Sequence, residues 1–283
     1  MEQLVARLGL GVCDDGFISA DDLGVNRGDG CFDATLVRVD GGAVTADFVD
    51  EHLERLQHSS EILGMPPVDV HAWRELTADA LAEWARREGP EAVCKFVRTR
   101  GQETDRGEPL GFITITELSA QRIAARESAT AVTLSAGRPA DGLSRAPWLL
   151  GGAKTLSYGT NLAFVREAHR QGATDPILVT TDGVVLEGPQ SGVLVLKDGL
   201  LFSTPVVETG ILDSITVRHA LKGWKGLGRP TELRRYGAEE LVSADAVWLA
   251  SSIRGVTPVL QLDGHDLPQD PVVTDELRGL VRP

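Results

Sequence analysis

Five lysines occur in the 283 residues, Lys95, Lys154, Lys197, Lys222 and Lys225, and four of them stand in bland settings: a strand, a hairpin turn and a helix end. Lys154 differs. It follows Leu149-Leu150-Gly151-Gly152-Ala153 and precedes Ser157, a candidate helix cap, so an apolar, glycine-lined approach brings an amine to the mouth of a helix. Such a setting favours the unprotonated amine, the form that condenses with an aldehyde to a Schiff base. An ordinary surface lysine is the rival reading of these residues alone. Other chemistries fit less well. The six histidines, at 52, 58, 71, 169, 219 and 265, include no His-x-x-x-His pair, and no glutamate-rich metal box accompanies them. The stretch Gly24 to Gly30 lacks the lysine and following Ser/Thr of a phosphate loop.

The elements that must position Lys154 can be read from pattern. Asp40-Gly41-Gly42 separates two short β-like runs as a hairpin turn would. Asp50 can cap a helix running to about Leu63, with Leu53, Leu56 and Ile62 inward and Gly64 as its stop; Val70, Trp73, Leu76, Ala80, Leu81 and Trp84 then recur at helical spacing. Val93 to Thr99 and Gly111 to Thr116 read as strands joined by a polar loop. Beyond a polar, alanine-rich stretch, Asp182-Gly183 and Asp198-Gly199 each sit between β-branched runs as hairpin turns, which predicts an antiparallel sheet. Helices are expected over 157–171 and 213–221. The expected organisation is an α+β domain over 1–120, a linker over 121–135 and a cofactor-binding domain over 136–283.

Composition bounds the function. With 42% hydrophobic and 24% charged residues the chain is that of an ordinary globular protein, and a formal net charge of -13 argues against a surface built to neutralise nucleic-acid phosphates. Cys13, Cys31 and Cys94 form no disulfide framework or CxxC motif and are expected as reduced, mostly buried thiols. No run of about 18 apolar residues and no basic leader is visible, so a cytoplasmic protein without membrane partners is expected.

Six segments occur in a fixed order: Asp29-Gly30-Cys31-Phe32, His52-Leu53-Glu54-Arg55-Leu56, Lys154-Thr155-Leu156-Ser157-Tyr158, Glu187-Gly188, Gly210-Ile211-Leu212 to Arg218, and Ser251-Ser252-Ile253-Arg254-Gly255-Val256-Thr257-Pro258-Val259. Each alone is weak. Together they resemble the class IV aminotransferases, the fold-type IV pyridoxal-phosphate enzymes, over nearly the whole chain. The resemblance implies a two-domain α/β fold of the D-amino-acid aminotransferase type, a smaller N-terminal α+β domain and a larger C-terminal domain with an antiparallel-rich sheet. It also implies pyridoxal 5′-phosphate between the domains, as a Schiff base on Lys154, and a homodimer.

Residue roles follow from what that cofactor needs. Arg55 offers a planar fork of donors to the phosphate dianion, although its helix alone would suggest a solvated arginine. A helix beginning at Asp213 or Ser214 would aim the backbone N–H groups of Ile215 and Thr216 at the same phosphate. Ser252 matches the family's hydroxyl donor to it, Tyr158 the phenol that bonds the ring oxygen, and Glu187 the carboxylate facing the pyridine nitrogen. Phe32 and Arg106 are expected to meet the substrate.

The shared motifs do not name that substrate. Asp33 stands where many of the aminotransferases have glutamate. The segment Arg100-Gly101 to Arg106-Gly107 resembles the arginine-glycine loop of aminodeoxychorismate lyase, and Lys154-Thr-Leu-Ser resembles the short lysine pattern of lyases and D-amino-acid enzymes, while Tyr158 is more typical of branched-chain enzymes. The balance favours aminodeoxychorismate lyase, releasing 4-aminobenzoate and pyruvate for folate synthesis. The alternative is an aminotransferase acting on branched-chain or D-amino acids and 2-oxoacids; a non-enzymatic binding protein fits poorly with Lys154 and Glu187 both present.

Overall fold

Strand alternation organises the first part of the chain. In the computed structural model, which describes residues 2–13, 18–104 and 108–283, the internal contacts divide the chain into two units: Met1–Ala120 with Ala153–Tyr158 and Pro283, and Gln121–Gly152 with Gly159–Arg282. The first unit contains β1 (Gln3–Arg7), β2 (Gly11–Cys13), α1 (Leu23–Asn26), β3 (Gly30–Asp40), β4 (Ala43–Ala46), α2 (Val49–Ile62), α3 (Val70–Arg86), β5 (Ala92–Thr99) and β6 (Leu110–Glu117). Its six strands pair in the order β2-β1-β6-β5-β3-β4, all antiparallel. Successive side chains of a strand point to opposite faces. Cys31 and Val37 of β3, Cys94 and Phe96 of β5 and Ile113 and Ile115 of β6 pack with Leu53, Leu56, Trp73, Leu76 and Trp84 of α2 and α3. The alternate residues Phe32, Val97 and Phe112 form a separate cluster with Leu156 and Tyr158. The β3–β4 hairpin turns at Asp40-Gly41-Gly42 as expected, with both glycines at positive φ. Helix α2 does not begin on an Asp50 cap. Its cap residue is Phe48, at φ 48° with no side-chain cap bond, which leaves Asp50 and Glu51 in the first turn, where carboxylates suit the helix dipole.

The second unit runs through α4 (Ala120–Ala124), β7 (Ala129–Ser135), α5 (Gly159–Arg170), β8 (Asp175–Val179), β9 (Gly192–Lys197), β10 (Leu200–Ser203), α6 (Val206–Thr209), α7 (Ile215–Gly226), β11 (Thr231–Leu233), α8 (Ala238–Val242), β12 (Ala246–Ser251), β13 (Gly255–Leu262), β14 (His265–Asp266) and α9 (Pro271–Leu280). Its sheet has the order β11-β10-β9-β12-β13-β7-β8, with β14 on β13. Pairing is antiparallel at β10/β9, β9/β12, β12/β13 and β13/β14 and parallel elsewhere. One face buries Val193, Val195, Phe202, Val247 and Leu249. The other packs Leu194, Leu196, Leu201 and Trp248 against Val217, Ala220 and Trp224 of α7 and Leu277 of α9. Full burial of such a side chain contributes roughly 1.5–3 kcal/mol, and the Trp248 Nε1–H also donates to Thr274 Oγ1 at 2.9 Å.

Several expectations change here. Residues 121–135, expected as a linker, include β7, an inner strand of the second sheet whose Ala129 and Ala131 are buried. The apolar run Ala131 to Ser135 is its only β-like signal, and the polar, alanine-rich residues on either side make the whole segment read as a linker. Asp198-Gly199 is a turn with both residues at positive φ, as a type I′ hairpin requires, whereas only Gly183 of Asp182-Gly183 is positive. The second hairpin is accordingly irregular: Leu178 and Glu187 are hydrogen-bonded across it, but 184–187 is not a regular strand. The three cysteines are free, with Cys31 and Cys94 buried and burial pushing the Cys94 thiol up to about 12. Among the described residues no helix is long and apolar enough to cross a membrane, and no cluster of His, Cys, Asp or Glu could hold a metal ion.

Candidate active site

Within the first unit, Lys154 sits on a short strand-like segment laid along the edge of β3. The start of β3 pairs with β5 on one side only, because β4 covers residues 37–40 alone, and Ala153–Tyr158 fills the vacant edge. The Phe32 N–H donates to Lys154 O at 2.9 Å and the Leu156 N–H to Gly30 O at 2.8 Å. Gly28, at φ 69°, permits this approach, since a Cβ there would lie 2.5 Å from Ser157 Oγ and 3.1 Å from its Cα. Ser157 is not the helix cap expected of it: its hydroxyl donates to Gly28 O at 3.2 Å, and α5 starts two residues later.

This edge strand aims the Lys154 amine at aromatic surface. Nζ lies 4.6 Å from the Phe32 ring centroid and 5.4 Å from that of Tyr158, and the two rings meet edge-to-face at 5.3 Å. Phe32, Lys154 and Tyr158 are thereby brought together. Lys95 joins them, with its Nζ 4.4 Å from the Phe32 centroid. Its strand setting looked bland in the sequence. The available signal was alternation, because Lys95 falls between Val93 and Val97 on the face opposite Cys94 and Phe96.

Arg55 stands on the helix side of the same point of β3. Its Nε donates to Asp33 Oδ2 at 2.7 Å and a terminal nitrogen to Oδ1 at 2.8 Å, while His52 Nδ1 lies 2.7 Å from Oδ1. Asp33 and His52 are fully buried and the Arg55 side chain is 10% exposed. Burial pushes the Asp33 carboxyl up, but the Arg55 charge and the hydrogen bonds from Arg55 and His52 outweigh it and hold the group below the usual carboxylate range. The pairing turns an arginine on an amphipathic helix into an oriented donor with its fork fixed in one plane. The helical spacing of His52 and Arg55 was legible; that Asp33 would be their partner was not.

In the second unit the expected residues gather at one end of the sheet. Ser214 caps α7, accepting from Val217 N–H at 3.3 Å. The first N–H groups of a helix, here those of Ile215 and Thr216, have no intrahelical acceptor and sit at the positive end of its dipole. Gly192 lets the helix approach β9, because a Cβ there would meet Val217 Cγ2 at 2.6 Å. Leu212 N–H lies 3.3 Å from both carboxylate oxygens of Glu187. Arg138 adds a cation near that carboxylate: burial pushes its guanidinium below its ordinary value and Glu187 opposes the shift. Ser252 lies in the turn between β12 and β13, two residues after Ala250, which pairs with Gly192. That turn is fastened by two guanidinium groups, Arg254 to both oxygens of Asp175 at 2.9 Å each and Arg126 Nε to Ile253 O at 3.0 Å. Arg106 lies outside the described residues.

Each unit carries donor types that a phosphorylated pyridine aldehyde would need: in the first, an amine beside aromatic surface and a fixed guanidinium; in the second, a helix N-terminus suited to a dianion and a carboxylate suited to a ring nitrogen. The family model for amino-transferase class IV matches residues 30–262. Over 262 residues, 90% of this chain and 89% of the relative, the sequence is 36% identical to a bifunctional aminodeoxychorismate lyase / D-amino acid transaminase of Mycobacterium tuberculosis. A fold IV transaminase from Curtobacterium pusillum superposes with a TM-score of 0.91 at 35% identity, covering 99% of each chain. A hypothetical aminotransferase from Mycobacterium tuberculosis, solved in a PLP-bound form and in an alpha-ketoglutarate and PMP bound form, gives a TM-score of 0.92 at 35% identity over 98% of this chain and 97% of the other.

Proposed function

The chain belongs to the class IV aminotransferases and its cofactor is pyridoxal phosphate, and from that premise we propose that it is an aminodeoxychorismate lyase, converting 4-amino-4-deoxychorismate to 4-aminobenzoate and pyruvate for folate synthesis. The cofactor part of the reading rests on Lys154, whose amine stands over Phe32 beside Tyr158. The substrate part rests on the similarity to a relative named for both lyase and D-amino acid transaminase activity. That double name also favours the second reading, transamination of D-amino or branched-chain acids with 2-oxoacids at the same site.

When bound, the cofactor supplies an electron sink for charge left on the substrate carbon. Lys154 would hold its aldehyde through the amine and, once freed by the substrate amine, would take the proton from the amine-bearing carbon. In the lyase reaction the C–O bond between the ring and the enolpyruvyl group would then break as the ring aromatises, and Lys154 would give its proton to the methylene carbon of the departing enolpyruvate to leave pyruvate; in transamination Lys154 would deliver the proton elsewhere on the conjugated system and release a 2-oxoacid. Glu187 holds a proton at the ring nitrogen, Tyr158 bonds the ring oxygen, and Arg55, Ser252 and the N–H groups of Ile215 and Thr216 hold the phosphate. Phe32 lines the substrate's path and Arg106 takes a carboxylate. The further reading is a cytoplasmic homodimer; Trp148 and Leu149, 77% and 55% exposed in the second unit, suit self-association, for which light scattering is expected to return twice the chain mass.

Incubating the holoenzyme with aminodeoxychorismate tests the assignment. 4-Aminobenzoate and pyruvate are expected in equal amounts. No 4-aminobenzoate, together with oxoacid-dependent turnover of D- or L-amino acids, would replace the lyase by the transaminase.

A further inference from the structure

We propose that the Ser59 hydroxyl is the positioning group that fixes Lys154 for its work on the cofactor, an inference that rests on the role assigned to Lys154 above. Residues 154–156 run antiparallel to Gly30–Phe32, with Cys31 and Thr155 facing each other. In that register Phe32 and Lys154 form a hydrogen-bonded pair, which in a regular ladder exchanges two bonds. One of them is made, from the Phe32 N–H to Lys154 O at 2.9 Å. The reciprocal donor, the Lys154 N–H, goes instead to Ser59 Oγ at 3.1 Å. The ladder is thus broken in mid-pair at the residue that carries the amine.

Ser59 is fully buried on α2, and its spacing from His52 and Arg55, seven and four residues, sets all three on one helix face. A single face of α2 therefore fixes the Arg55–Asp33 pair through side chains and the Lys154 backbone through a hydroxyl. Without the hydroxyl, the Lys154 N–H either loses its acceptor in a partly buried setting or turns to complete the bond with Phe32. Either outcome shifts the Cα from which the amine is aimed, and reacting groups tolerate displacements well below 1 Å. The neighbouring Ser60 is an internal control. It is equally buried on the same helix, but its hydroxyl contacts the Cys31 sulfur at 3.3 Å.

Full-length Ser59→Ala and Ser60→Ala holoenzymes are compared by kcat, KM and the pH midpoint of the visible absorption of lysine-bound cofactor, and the apoenzymes by urea unfolding. Ser59→Ala is expected to lower kcat about tenfold or more with KM changed less than about twofold, and to move the absorption midpoint by about half a pH unit or more. Ser60→Ala is expected to lose comparable stability and leave the kinetic and spectral values at wild type. Ser59→Cys, a weaker acceptor of similar size, is expected to fall between, and carries the test where Ser59→Ala yields no folded protein. A wild-type midpoint and kcat in the Ser59 variants, or an equal change in Ser60→Ala, overturns the proposal. Borohydride labelling of a lysine other than Lys154 in the wild-type enzyme overturns the underlying assignment instead, so the two failures are distinguishable.

Discussion

Glu187 and Asp33 show how two carboxylates of one chain are put to different uses by what surrounds them. Glu187 is partly exposed, meets the Leu212 N–H and lies near Arg138, and in the proposed mechanism its charge is felt at the cofactor's ring. Glu187→Gln is expected to retain most cofactor binding while slowing α-proton removal on the order of 10²-fold or more, because the partner of developing charge is lost. Stopped-flow exchange of the substrate α-proton checks this, and unchanged turnover would return Glu187 to the surface. Asp33 is buried and spends its charge on Arg55 and His52. With its folded value held below the ordinary 3.8, its contribution to stability is complete above that pH and lost as pH falls toward the lowered value. Asp33→Asn is expected to destabilise the protein by about 3–5 kcal/mol at neutral pH, with the gap to wild type closing as the medium is acidified below 3.8. Urea unfolding across that range measures it, and a gap independent of pH would contradict the account.

At the scale of elements, the β12–β13 turn illustrates a site held from outside. The turn carrying Ser252, assigned to the cofactor phosphate in the proposed reading, is held by Arg254 on Asp175 at the start of β8 and by Arg126 on the Ile253 carbonyl. Asp175→Ala is expected to weaken cofactor affinity about five- to tenfold, the equivalent of about one ordinary hydrogen bond; titration of the apoenzyme by fluorescence checks this, and wild-type affinity would detach the clamp from the site. The sequence carried much of this level plainly. Helices α2 and α3, the β3–β4 and β9–β10 hairpins and the start of α7 follow from helical spacing, positive-φ turn residues and a serine cap. What escaped was set by tertiary partners. Strand β7, with Val132 and Leu134 set among Ala and Thr in a polar, alanine-rich stretch, reads as a linker until its neighbours β13 and β8 are known. Lys95 comes to the Phe32 ring only through the register that sets it across from Ala34. Local pattern specifies which face a residue takes, and only pairing specifies what it meets.

Over the whole molecule, the chain order and the spatial order differ at the point that matters. Ala153–Tyr158 is preceded and followed by residues of the second unit, yet it belongs with the first, on the edge of β3. The six ordered motifs could be aligned with a family from sequence alone, but not the fact that the lysine segment completes a sheet begun more than a hundred residues earlier. Two amines then stand over one ring, Lys154 at 4.6 Å and Lys95 at 4.4 Å from the Phe32 centroid. Only one can carry the cofactor. In the proposed reading it is Lys154, which has the edge strand, the Tyr158 ring and the Ser59 contact around it. The direct measurement is borohydride reduction of the holoenzyme followed by peptide mapping by mass spectrometry, with Lys154→Ala and Lys95→Ala alongside. The pyridoxyl adduct is expected on the peptide containing Lys154, lost in Lys154→Ala and kept in Lys95→Ala; an adduct on Lys95, or on any other lysine of the wild-type protein, would contradict the account.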